Sequence, residues 1–146
     1  MPDEACPLPS RPGDARADAV RRMLAARRIA VVGLSDDPSR ASHGVAGYLA
    51  SAGKEIIPVN PNHATVMGRR CYASLEEVPG PVDVVNVFRR PEFCADVVRS
   101  AVATGAKGVW LQSGIVSPEA ERIARDAGID FVQDKCIKVE HMFGGQ

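Results

Sequence analysis

Ile29-Ala-Val-Val-Gly-Leu-Ser-Asp-Asp-Pro-Ser-Arg-Ala-Ser42 is the stretch that decides the fold of this chain. It begins as a short apolar run rich in β-branched residues and ending at Gly33, a pattern typical of a strand covered on both faces. A loop rich in hydroxyl groups follows, and a helix is predicted to begin at about Ser42. The run Ile56-Ile-Pro-Val-Asn-Pro-Asn62 then predicts a second strand. We therefore predict the first strand–loop–helix–strand unit of a nucleotide-binding sheet.

The rest of the chain continues this alternation of strands and helices. Strands are predicted at Ile29–Gly33, Glu55–Val59, Val82–Phe88, Gly108–Gln112 and Ile129–Val132, with a short edge strand at Arg70–Ala73. Helices are predicted at Asp14–Arg28, from Ser42 to Gly53, from Pro91 to Gly105 and from Ser117 to Gly128, with a helical turn at Leu75–Val78 and a short helix in the tail Asp134–Gln146. Such alternation implies right-handed βαβ units. The predicted fold is a three-layer α/β, Rossmann-like domain with a mostly parallel sheet of about five or six strands and helices on both faces.

Composition limits the class of protein. The 146 residues fit one domain, which we place at residues 14–146 after a flexible, proline-rich leader at residues 1–13. Eighteen basic residues balance eighteen acidic ones, which argues against a nucleic-acid partner. No apolar run is long enough to cross a membrane and no export signal is visible, so we expect no membrane partner and a cytoplasmic location.

The four cysteines are Cys6, Cys71, Cys94 and Cys136, and their wide spacing gives no zinc pattern. We therefore predict no metal site and reduced thiols. A homodimer would suit so small a domain, but no patch in the sequence indicates one, and no partner protein can be identified.

The predicted topology places a binding crevice beyond the carboxyl ends of the strands, where the strand order reverses. Three segments border it, namely Gly33–Ser42, Asn60–Asn62 and Phe88–Pro91, and Gln112–Gly114 is the next candidate along the rim. A dinucleotide fingerprint requires closely spaced glycines after the first strand. Here the first glycine after Gly33 is Gly44, and Asn60-Pro61 stands where an NAD site has an acid for the ribose. An NAD(P)-binding protein thus remains only an alternative.

The loop after the first strand has the groups that bind phosphate. Ser35, Ser39 and Ser42 offer hydroxyl donors, Arg40 offers a forked cation, and the following helix offers free N–H groups. An ordinary solvated loop with a helix cap would show the same residues. Arg89 and Arg90 stand where a central strand gives way to a helix, so one could pair with phosphate while the other stacks on a base or projects into solvent.

At this point the motifs resemble a known family. Gly33-Leu-Ser35, Pro38-Ser-Arg40-Ala-Ser42, Pro58-Val-Asn-Pro61, Val87-Phe-Arg-Arg90, Trp110-Leu-Gln112-Ser-Gly114 and Asp134-Lys-Cys136 occur in this order. Together they resemble the small stand-alone CoA-binding domain proteins of bacteria and archaea, which are similar to the N-terminal CoA-binding domain of the succinyl-CoA synthetase α-subunit. The resemblance covers roughly residues 28–143.

The resemblance implies a Rossmann-type domain that binds coenzyme A or an acyl-CoA. It implies that Gly33, Ser35, Arg40 and Ser42 hold phosphates, that Asn60 and Pro61 lie by the adenosine, that Phe88, Arg89 and Arg90 wall the nucleotide, and that Gln112 lines the crevice further in. CoA carries an additional 3′-phosphate, which suits several cations and no diol-binding acid.

No catalytic set is visible in the sequence, and whether the chain is an enzyme stays open. None of His43, His63 and His141 matches the phosphorylated histidine of the synthetase, which lies in a second domain that this sequence does not contain. Cys136 is the best chemical candidate, because Lys135 or Lys138 could favour its thiolate. A CoA-dependent thiol redox protein acting through Cys136 is thus a second alternative, and a buried thiol that only packs is the simpler interpretation.

Overall fold

A five-stranded parallel sheet forms the centre of the molecule. The computed structural model describes residues 15–144, so the predicted leader at residues 1–13 lies outside the described residues. The sheet consists of β1 (Arg28–Val32), β2 (Glu55–Val59), β5 (Val84–Val87), β6 (Gly108–Leu111) and β7 (Asp130–Val132). Its strand order is β2-β1-β5-β6-β7, and every neighbouring pair is parallel. The order reverses between β1 and β5, which are the two strands predicted to flank the crevice.

Helices cover both faces of this sheet, which confirms the predicted three-layer fold. The helices are α1 (Ala15–Leu24), α2 (Ala41–Ser51), α3 (Pro91–Ala103), α4 (Pro118–Ala127) and α5 (Ile137–Gly144). Successive side chains of a strand point to opposite faces. In β1, Ala30 and Val32 pack into the core beneath α3 and α4, whereas Ile29 and Val31 pack beneath α1, α2 and α5.

The first helix is shorter than predicted. It ends at Leu24 rather than Arg28, because the chain turns there to enter β1. The backbone N–H groups of Arg27 and Arg28 both donate to the carboxylate of Asp83, at 3.2 and 3.0 Å. The ammonium group of Lys54 donates to the carbonyl oxygens of Leu24 and Ala26. Carbonyl groups at and just after the end of the helix are therefore hydrogen-bonded by a side chain that lies outside it.

The predicted edge strand Arg70–Ala73 was wrong. An antiparallel hairpin of β3 (Thr65–Val66) and β4 (Arg69–Arg70) occupies this region. Further along, Tyr72 makes only an isolated parallel bridge to Val59 at the end of β2. The segment therefore pairs with the main sheet at one residue and adds no sixth strand to it. A short 3₁₀ turn at Leu75–Glu77 follows, close to the predicted helical turn.

The tail forms the predicted short helix, α5, which packs on the face that α1 and α2 cover. Tyr48 Oη and His141 Nδ1 lie 2.7 Å apart and join α2 to α5. None of the helices within residues 15–144 combines the length and apolar character needed to span a bilayer.

Candidate functional site

Two clefts open at the carboxyl edge of the sheet on either side of the β1–β5 junction. The first, which we call the loop cleft, has a volume of about 410 Å³. It is lined by Gly33, Ser35, Arg40, Ala41, Ser42, Asn60, His63 and Phe88. The second, the α3 cleft, has a volume of about 510 Å³. It is lined by Val32, Gly33, Val59, Asn60, Pro61, Asn62, Ala73, Ser74, Leu75, Glu76, Phe88, Arg89, Phe93, Asp96, Val97 and Ser100. Because Gly33, Asn60 and Phe88 line both, the clefts form one continuous crevice.

Gly33 allows the loop after β1 to pass close to the end of β5. Its φ of +86° lies in the left-handed region, and a Cβ atom there would lie 2.6 Å from the carbonyl oxygen of Phe88. Its N–H donates to Val59 O on the other neighbouring strand, at 2.9 Å. Only glycine accepts this backbone conformation and this close approach without strain. The predicted importance of Gly33 therefore has a steric basis in the crevice.

Hydroxyl groups shape the loop between β1 and α2. Ser42 Oγ, at the start of α2, accepts a hydrogen bond from the N–H of Ser35 at 3.0 Å. Ser35 Oγ in turn accepts from the N–H of Asp37 at 3.0 Å. Each oxygen acts here as an acceptor, so each hydroxyl proton stays available for another acceptor. Ser35 and Ser42 both line the loop cleft, whereas Ser39 does not.

The two acids of this loop do not line either cleft. Asp37 Oδ1 accepts hydrogen bonds from the N–H and the hydroxyl of Ser39, at 2.9 and 2.8 Å. These bonds hold the pKa of Asp37 below its usual range, because they stabilise the charged form. The carboxylate is therefore occupied within its own turn, and the loop cleft is left without an acidic lining.

Arg40 stands at the N-cap of α2 and provides the cationic side of the loop cleft. Its side chain is exposed, and it forms none of the ion pairs found among residues 15–144. No side chain caps the first turn of α2. A helix start with free N–H groups beside an unpaired guanidinium group favours an anion.

Asn60 connects the loops that follow β1 and β2. Its Nδ2 donates to Leu34 O at 3.1 Å, and its Oδ1 accepts from the N–H of Asn62 at 2.9 Å. The side-chain amide thus holds the two loops together at a point that both clefts share. Pro61 is exposed and lines the α3 cleft.

The three residues predicted after β5 divide between the crevice and solvent. Phe88 lies at the junction, and Arg89 lines the α3 cleft with its guanidinium carbon 4.4 Å from the centre of the Phe93 ring. Arg90 lines neither cleft: it is exposed, lies 5.4 Å from the same ring and pairs with Glu92 at 3.8 Å. The structure therefore brings Phe88 and Arg89 into the crevice and leaves Arg90 on its outer side.

Gln112 is buried behind the edge and lines neither cleft. Its Oε1 accepts from Asn86 Nδ2 at 3.1 Å and from the N–H of Ile137 at 3.0 Å. It thus connects β5, β6 and the start of α5. Asn86 Oδ1 is the one fully buried side-chain polar atom, among those of the described residues, without a hydrogen-bond partner.

The motifs Trp110-Leu-Gln112-Ser-Gly114 and Asp134-Lys-Cys136 contact each other. Trp110 Nε1 donates to Lys135 O at 2.8 Å, and the N–H of Gly114 donates to Asp134 Oδ1 at 2.7 Å. These bonds fasten the loop after β6 to the loop after β7. Their geometry gives Trp110-Leu-Gln112-Ser-Gly114 and Asp134-Lys-Cys136 a structural role, and the predicted ligand contact of Gln112 stays a prediction.

The described cysteines lie outside the lining of both clefts. Cys71 and Cys94 are buried, and burial raises the pKa of each thiol. Cys136 is half-buried and packs against the core beneath α1, α2 and α5. The thiol is therefore not part of the crevice that the two clefts form.

Sequence reasoning missed several residues that line the crevice. His63 was considered only as a phosphorylated histidine, which it does not match, and Phe93, Glu76 and Asp96 were given no role in the site. His63 could have been found from its position directly after Asn60-Pro61-Asn62. Phe93 could have been found because it stands one helical turn after Arg89 and Arg90. Nothing local to Glu76 or Asp96 marks them, since exposed acids are common on helices.

Known proteins are similar to this chain in sequence and in structure. The sequence model of a family described as the CoA binding domain matches residues 27–142. YneT, an uncharacterized protein of Bacillus subtilis, is 43% identical over 126 residues, which cover 86% of this chain and 93% of YneT. The solved structure of a hypothetical protein from Pyrococcus horikoshii superimposes with a TM-score of 0.84 at 33% identity, covering 96% of each chain.

A larger relative indicates where else this domain occurs. The alpha subunit of an ADP-forming acetate–CoA ligase (II) from Pyrococcus furiosus is 27% identical over 119 residues. These residues are 81% of this chain but 25% of the subunit, so the chain spans about a quarter of that relative's length. The match confirms the predicted resemblance to an α-subunit of the succinyl-CoA synthetase type.

Proposed function

This chain belongs to the family of CoA-binding domains, and from that premise we propose that it binds coenzyme A or an acyl-CoA in the crevice between β1 and β5. The observation that carries the proposal is the loop cleft. It combines an unpaired guanidinium group, two serine hydroxyls and an uncapped helix start, and no carboxylate lines it. This set of donors fits a phosphate group.

The form of the crevice also supports the proposal. Gly33 lets the loop after β1 lie against Phe88 O at the point where the two clefts meet. On the other side of this point, the α3 cleft has an apolar floor that includes Val32, Val59 and Val97. A phosphate site continuous with an apolar cleft suits a nucleotide, which carries both kinds of group.

We assign the parts of the ligand accordingly. Ser35, Arg40 and Ser42 would hold phosphate in the loop cleft, and Asn60 and Pro61 would lie beside the adenosine. Phe88 and Arg89 would wall the nucleotide in the α3 cleft. Arg90, on the outer side, would contribute long-range attraction rather than contact.

The proposal concerns ligand binding, and it assigns no chemical reaction to this chain. Cys136 lies outside both clefts, and none of the observations on the described residues favours thiol redox chemistry there as a second function. A single domain at residues 14–146 remains a proposal, supported by YneT, of which 93% aligns with this chain. A homodimer remains a proposal that no observation on the described residues carries.

Isothermal titration with CoA, dephospho-CoA, NAD and NADP tests this function. We expect CoA to bind most tightly, because the loop cleft offers a guanidinium group and no acid directly follows β2 to hold a ribose diol. Arg40→Gln should weaken CoA binding by about 1–3 kcal/mol, the scale of a lost hydrogen bond to a charged group.

Arg122→Gln is the matched control for this substitution. Arg122 is exposed on α4 and lines neither cleft, so CoA affinity should not change. Tighter binding of NAD than of CoA, or equal CoA affinity in Arg40→Gln and the wild type, would refute the proposal.

A further inference from the structure

His63 is a crevice residue that the proposed function does not use. It lines the loop cleft from the segment that follows β2, whereas Arg40, Ser35 and Ser42 line it from the segment that follows β1. Its N–H donates to Asn60 O at 3.4 Å, which closes the turn that carries it, and its side chain is half-buried. An imidazole therefore borders the anion site on the side away from the loop.

The charged groups around this imidazole have other partners or lie elsewhere. Arg40 is the single arginine, lysine, aspartate or glutamate in the lining of the loop cleft. Asp37, on the first loop, accepts from Ser39. On the hairpin after His63, Arg69 donates to Met67 O at 3.1 Å, and Arg70 lies over the Tyr72 ring.

The end of β5 also supplies no acid to this side. Phe88 lines both clefts, whereas Arg89 lines only the α3 cleft and lies over the Phe93 ring. Asp36 is exposed and lines neither cleft. Within residues 15–144, therefore, no carboxylate lines the loop cleft to compete with a bound anion for the imidazole.

Resting on the proposed function, we propose that His63 is a specificity-determining residue of the loop cleft that donates a hydrogen bond to the phosphate monoester of CoA. A hydrogen bond from an imidazole N–H group to a phosphate oxygen is strengthened by the negative charge of the acceptor. His63 thus contributes to a preference for CoA over dephospho-CoA, which lacks this phosphate.

Isothermal titration of both ligands into the wild type and His63→Gln tests the proposal. We expect the substitution to weaken CoA binding by about tenfold, as for one charge-assisted hydrogen bond at a half-buried site. Dephospho-CoA should bind both proteins equally.

His43→Gln is the matched control, because His43 lies at the start of α2 and lines neither cleft. It should bind both ligands as the wild type does, and equal urea midpoints show that the variants fold. Equal CoA affinity in His63→Gln and the wild type would overturn the proposal, as would equal losses for CoA and dephospho-CoA. A wild type that binds neither ligand contradicts the proposed function itself.

Discussion

Gly33 lets the loop after β1 lie against the end of β5, at a position that lines both clefts. Gly33→Ala would place a methyl group 2.6 Å from Phe88 O while holding a non-glycine residue at φ +86°. We expect it to lower the free energy of unfolding by about 1–3 kcal/mol, because the chain must either accept the strain or shift the loop. Urea unfolding monitored by circular dichroism measures this change.

Gly44→Ala is the control for this substitution. Gly44 lies in α2, and a Cβ atom there would have no neighbour within 4 Å. The same chemical change should therefore raise the free energy of unfolding by about 0.5–1 kcal/mol, since alanine favours a helix more than glycine does. If Gly33→Ala were as stable as Gly44→Ala, the close approach to Phe88 would not constrain the loop.

Residue types indicated which side chains carry charge, but only the folded chain shows where each one points. Arg89 and Arg90 are adjacent and identical in type, so the sequence could not assign one to the crevice and the other to solvent. Their separation follows from the start of α3, where Arg90 is the N-cap and Arg89 lies over Phe93. Gln112 shows the same limit, because its two donors come from Asn86 and Ile137, distant in the chain.

At the scale of elements, the contact between α2 and α5 contains a group that responds to pH. Burial, and secondarily the positive charge of Lys54, lower the pKa of His141. The folded protein therefore binds a proton at His141 less readily than the unfolded chain does. The stability from this group is complete above the ordinary histidine pKa and is lost as the pH falls below it.

Urea unfolding of the wild type and His141→Gln at pH 7.5 and pH 5.5 measures this contribution. Acidification should destabilise the wild type more than the variant, because the variant has no group to protonate at this position. Tyr48→Phe removes the hydroxyl 2.7 Å from His141 Nδ1 but not the ring that helps to bury it, so its pH dependence should stay close to that of the wild type. Identical pH dependence in His141→Gln and the wild type would contradict the expected role.

The main strands and helices could be predicted from the sequence because their patterns are local. The apolar runs of β1, β2 and β5 and the proline starts of α3 and α4 are readable without any knowledge of the fold. The hairpin of β3 and β4 could not be predicted, since its strands have two residues each and its turn places Met67 at φ 55°. Methionine gives no warning of such a turn, whereas Asn-Gly would have done so.

At the scale of the whole molecule, the crevice draws residues from both halves of the sheet. Gly33, Arg40 and Asn60 come from the β1–β2 half, and Phe88 and Arg89 come from the end of β5. A bound ligand would therefore contact both halves at once. Strand β6 lies next to β5, and its side chains are buried in the cores of both faces. Hydrogen exchange in β6 therefore reports whether ligand binding stabilises the whole sheet.

Hydrogen exchange of the β6 amides with and without CoA tests this coupling. A ligand that binds only the folded state, at 100 times its dissociation constant, adds about 2.7 kcal/mol to the free energy of unfolding. If Val109, Trp110 and Leu111 exchange through global unfolding, their rates should fall by about 100-fold, although none of them lines either cleft. In Arg40→Gln the same CoA concentration should slow the exchange of these amides less, in proportion to the CoA affinity that the substitution removes. Protection confined to β1, β5 and the start of α2 would instead mean that the two sides of the sheet open independently, and that the ligand stabilises only the edge it contacts.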